Sequence, residues 1–178
     1  ITTHLDAMAR SGVKLTRYYA GAPVCSPTRG SCLTGRNPFR YGIPTANVGH
    51  LLKDEINLAG LLSKRGYATG HFGKWHLGSN YPFRPEDRGF QRTVWFPSSH
   101  IGSVPDTWGN DYFDDTYTSN GKREQFKGYC TDIFFDEALT FMKDSVKSGK
   151  PFLAYIATNT PHGPLNPKDE DRAALKQV

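Results

Sequence analysis

The chain has 178 residues, with 22 Lys and Arg against 17 Asp and Glu, a net charge of +5 and 37% hydrophobic residues. That is enough for one moderate domain with a core. No apolar run approaches a membrane span. The cations are scattered among acids rather than gathered in a stripe, which excludes a nucleic-acid stripe and leaves an anionic substrate open. Three cysteines, Cys25, Cys32 and Cys130, form neither a disulfide framework nor a zinc spacing. Cys32 and Cys130 are expected to be free and partly buried, with a bridge between them as the alternative.

In chain order, residues 4–10 predict a helix carrying Leu5, Met8 and Ala9 and closed by Gly12. Residues 13–19 alternate as a strand through Val13, Leu15 and Tyr19. Then comes Cys25-Ser26-Pro27-Thr28-Arg29, continued to Leu33-Thr34-Gly35-Arg36. Pro27 suits a first helical turn and Gly35 a helix end. Cys25 therefore falls at a helix N-terminus, where free N–H groups and the macrodipole favour negative charge. Arg29, one turn on, can reach back toward it.

A proline- and glycine-bearing loop over 37–50 leads to a helix over 57–65, stopped by Gly66. Residues 67–72 predict a strand with Lys74 and His76 beyond it; two apart in an extended segment, they would point the same way. A fixed cation beside an imidazole suits binding an anion and moving a proton. Residues 79–128 predict a long loop-rich insertion forming part of a substrate rim. Its Asp114-Asp115 pair is expected to be a solvated loop rather than a metal site.

Residues 129–147 give the longest helix, with an apolar face of Ile133, Phe134, Leu139, Phe141, Met142 and Val146. The apolar run 151–157 predicts a strand covered on both faces. His162 follows the carboxyl end of that strand, where ligand sites of parallel sheets collect. Helices alternating with buried strands predict an α/β fold.

Three clusters carry a family resemblance: the Cys25 motif, Gly73-Lys74-Trp75-His76 and Pro161-His162. Together they resemble the type I sulfatases of the alkaline-phosphatase superfamily, whose motif cysteine is oxidised to formylglycine by a maturation enzyme. The resemblance implies a mixed, mostly parallel sheet sandwiched by helices and incomplete at both ends, with residues 1–178 a partial N-terminal catalytic domain. It also implies a sulfuric-ester hydrolase acting on a small-molecule or saccharide sulfate ester, located in the periplasm or outside the cell. Cys25 would be the nucleophile, Arg29 its holder and His76 the base; Lys74 and His162 would grip the sulfate. A divalent cation, Ca2+ by preference or Mg2+, would be held by Cys25 as formylglycine and by ligands outside this chain. The alternatives are a formylglycine-dependent phosphonate or phosphodiester hydrolase and a non-catalytic remnant. Nothing at the first residues resembles a signal peptide, and the missing initiator Met predicts a processed, trimmed or incomplete start.

Overall fold

The computed structural model describes residues 2–103 and 111–175. It contains helices α1 (Thr3–Ser11), α2 (Cys25–Thr34), α3 (Leu58–Ser63), α4 (Cys130–Lys147) and α5 (Asp169–Leu175). The strands are β1 (Ala68–Lys74), β2 (Arg92–Phe96), β3 (Thr116–Ser119), β4 (Lys122–Gln125) and β5 (Phe152–Ala157), with a 3-10 turn at Glu86–Arg88. They form one sheet in the order β4-β3-β2-β1-β5. β1 runs parallel to both β2 and β5, while β3 and β4 add an antiparallel edge. No described helix is long and apolar enough to cross a membrane.

Strand alternation divides the core into two layers. Phe72, Val94, Phe96 and Tyr117 face α4, where they meet Ile133, Phe134 and Ala138. Trp75, Trp95, Phe90 and Leu77 face the other way and pack with Leu33, Tyr41 and Ala59 from the α2 and α3 side. The expected α/β layering is therefore present. In α4, Leu139 and Val146 point to solvent at 45% and 69% exposure. Ala138 and Ser145 take the buried positions expected of them. Ile133 and Phe134 are buried as expected and Phe141 and Met142 pack against the same core, so only Leu139 and Val146 depart from the predicted face.

Three other expectations fail. Residues 13–19 form no strand; Val13, Leu15 and Tyr19 are 86%, 66% and 82% exposed. An alternating segment becomes a strand only beside a partner edge. The stretch 79–128 is not loop-rich throughout, since it supplies β2, β3 and β4. Finally, β5 lies at the sheet edge and is only half-buried along most of its length, not covered on both faces.

Candidate active site

Cys25 is the first residue of α2, after an extended Val24, and is half-buried. The helix ends as expected at Gly35, which is left-handed and donates its N–H to the Ser31 carbonyl. Lys74 closes β1, is only 3% exposed, and lines the same cleft as Cys25. Burial and the Arg29 guanidinium push the Lys74 pKa down, while Cys25 opposes that shift. Arg29 spans the gap between helix and sheet: its Nη1 donates to the Lys74 carbonyl at 2.9 Å.

The loop after β5 completes the site. Cys25, Thr28, Arg29, Lys74, Asn159 and His162 line one cleft of about 800 Å³. Two cations and a helix N-terminus thus meet at the Cys25 side chain, with the free thiol of Cys32 also on the cleft wall, an arrangement that attracts an anion. Four of the five sequence-predicted residues share this cleft.

The fifth, His76, is turned aside. Its φ of 57° is left-handed, so the extended geometry that would align it with Lys74 ends at the strand. Its Nε2 lies 2.7 Å from Asn47 Oδ1, and it lines a second, adjoining cavity. Burial, then Lys74, Arg29, His162 and His100, push its pKa down to about 4. The imidazole is therefore neutral at neutral pH while remaining electrostatically coupled to the cleft.

Sequence reasoning missed two residues. His100, in the loop after β2, stacks on His162 with ring centroids 4.9 Å apart and planes 18° apart. Its Nδ1 is 2.9 Å from Ser99 Oγ. Reading 92–96 as a strand would have placed His100 at a carboxyl end, as it did His162. Asn47 carried no comparable signal.

Other candidates stand apart. Asp114 is exposed and accepts from the Gly128 N–H at 2.7 Å. Asp115, against expectation, is buried at 3% exposure; its Oδ1 accepts from the Thr116 N–H. Folding of the β3–β4 hairpin draws it inward. Neither lines the cleft. All three cysteines are free, which excludes the Cys32–Cys130 bridge. Cys32 is exposed rather than partly buried, and burial pushes the Cys130 thiol up to about 11, leaving it unreactive. Among the described residues no three His, Cys, Asp or Glu side chains could hold a metal ion together. Cys25 alone does not make a calcium shell. Position 25 is thus the only expected ligand of the implied cation among the described residues, the others having been expected outside this chain.

The Sulfatase family model matches residues 1–177. Arylsulfatase G of Canis lupus familiaris is 32% identical over 93% of this chain and 36% of its own length. N-acetylgalactosamine-6-sulfatase of Sus scrofa is 33% identical over 92% of this chain and 35% of its own. Among solved structures, Ps i-CgsB superposes with a TM-score of 0.88 at 30% identity, covering 99% of this chain and 43% of that one. The chain thus spans little more than a third of the curated relatives it matches. On the strength of a family match along almost its whole length, the chain belongs to the sulfatase family.

Proposed function

We propose that the protein containing this chain hydrolyses sulfate esters, with Cys25 in its oxidised, formylglycine form as the nucleophile. The observation that carries this reading is the convergence of Cys25, Lys74, Arg29 and His162 on one cleft at the N-terminus of α2. Formylglycine supplies a hydrated aldehyde with two oxygens, so that one can bond to sulfur and the other can later expel sulfate.

The remaining work falls to ordinary side chains. Lys74 and the N–H groups of α2 hold the negative oxygens of the ester. Arg29 ties helix to strand and keeps Lys74 facing Cys25. His162, at the cleft mouth, gives a proton to the departing alkoxide or phenoxide. His76 takes the proton released at position 25. A pKa of about 4 is low for that role. An anionic ester between Lys74 and Arg29 would offset the two cations that help depress it, raising its basicity when substrate is bound. Of the shell expected for a divalent cation only position 25 lies in this chain, and a cation held there would polarise the nucleophile and the ester oxygens.

Two measurements test the reading. Protein from a host with the maturation enzyme should give a Cys25 peptide lighter by about 18 Da, as thiol gives way to aldehyde. The full-length protein should turn over an aryl sulfate faster than an aryl phosphodiester. An unmodified thiol from that host, or a preference for the diester, overturns it.

A further inference from the structure

His162 stands on an exposed loop, where an imidazole ordinarily swings between rotamers. Two contacts restrain its ring. The Nδ1 lies 2.7 Å from the Gly163 carbonyl oxygen, which can only accept. Nδ1 therefore carries a hydrogen, and the proton that comes and goes belongs to Nε2. The face of the ring is covered by His100, with centroids 4.9 Å apart and planes only 18° apart.

His100 is itself held in place. Its Nδ1 meets Ser99 Oγ at 2.9 Å, and its backbone N–H donates to Ser103 Oγ at 3.3 Å. The next residue, Ile101, is 5% exposed and packs in the core on the α4 side. The Ile101 N–H donates at 3.1 Å to Oδ1 of Asn159, a buried residue. The carbonyl of the same Asn159 accepts from the His162 N–H at 3.0 Å. One asparagine thus ties the loop after β2 to the loop after β5 and sets the two rings face to face. A stack of two imidazoles accepts one positive charge and resists a second. Burial first, then the charges of His162 and Lys74, hold the His100 pKa below its ordinary 6.5. His100 is therefore the neutral partner at neutral pH, and its face can back a protonated His162.

We propose that His100 is a positioning residue, which fixes the ring plane of His162 so that its Nε2 proton meets the oxygen leaving sulfur. His100 lines neither the Cys25 cleft nor the adjoining cavity, so it acts on His162 rather than on the ester. The proposal rests on the sulfatase reading and adds the group that orients its acid. In the step concerned, an oxygen of the hydrated formylglycine bonds to sulfur while its proton passes to His76. The ester S–O bond breaks with its electron pair on the departing oxygen, which takes the Nε2 proton. His162 is left neutral, with Nδ1 still protonated and bonded to Gly163.

The test compares phenyl sulfate with 4-nitrophenyl sulfate, using full-length protein with position 25 converted. Phenolate is the more basic leaving group and depends more on the donated proton. His100→Ala should lose about tenfold more in kcat on phenyl sulfate than on the nitro ester, with KM little changed. His100→Phe, which keeps a ring to stack, should recover most of that selective loss. His162→Ala should show the same selectivity, and the double variant no more, because His100 acts through His162. Equal losses on the two esters, no recovery in His100→Phe, or additive effects in the double variant overturn the proposal. Nuclear Overhauser contacts between the two imidazoles, recorded on protein with isotope-labelled histidine, check the stack without substrate, and their absence also overturns it. Wild type that hydrolyses neither ester refutes the sulfatase reading and the orienting role with it. Wild type that hydrolyses both, with variants that do not discriminate between them, refutes only the role of His100.

Discussion

His71 sits in the middle of β1 and is completely buried, stacked on Tyr155 at 5.4 Å and 23° and flanked by Trp75 and Phe90 at 5.2 and 5.3 Å. Neither ring nitrogen completes a hydrogen bond. Burial first, then the Arg29 charge, pushes its pKa from 6.5 down to about 3. The folded state therefore refuses a proton that the unfolded chain accepts below pH 6.5. Stability falls as pH drops through that window, and this residue alone accounts for on the order of 3 kcal/mol of loss by pH 4. His71→Phe keeps an aromatic ring without the titration. Its urea midpoint should rise above wild type at pH 4.5 and come close to it at pH 8. An unchanged difference between the two pH values would refute this account. The sequence showed a histidine next to the Lys74 motif but not its burial, which depends on aromatic residues from β5 and from the turn before β2.

At the scale of elements, local signals worked where the segment carried its own punctuation. α2 is bounded by Cys25 and Gly35, and α3 starts at Asn57, whose side chain accepts from the Gly60 N–H at 3.1 Å. The hairpin β3–β4 also had such a signal in Asn120-Gly121, both left-handed, yet it was lost among the Gly, Asp and Tyr of 79–128. Short strands flanked by loops are hard to see without that turn. Gly73 shows a constraint of another kind. It has φ of +106°, and a Cβ there would lie 2.2 Å from the Ala157 carbonyl oxygen across the β1–β5 pair. Gly73→Ala must separate the strands whose ends carry Lys74 and the His162 loop. We expect a loss of roughly 2 to 4 kcal/mol in denaturant unfolding, larger than an ordinary surface substitution. A change within about 0.5 kcal/mol would show that the strand ends yield easily.

For the molecule as a whole, the anion cleft is built between elements far apart in sequence: the start of α2, the end of β1 and the loop after β5. An anion that binds there only in the folded state must stabilise it by mass action. Sodium sulfate should therefore raise the melting temperature more than sodium chloride at equal ionic strength. Lys74→Met should remove the excess by deleting the buried cation at the centre of the cleft. An equal rise in the variant would assign the effect to general salting-out instead.

The sequence by itself determined the motif residues, the caps of α2 and α3, the long helix α4 and the α/β class, because each is written in local periodicity or in a fixed run of letters. The tertiary structure decided the rest. Sheet order, the edge position of β5, the exposure of residues 13–19 and the turning of His76 into a separate cavity depend on which strand finds which neighbour. Pairing partners and burial are properties of distant contacts, and no window along the chain contains both sides of such a contact.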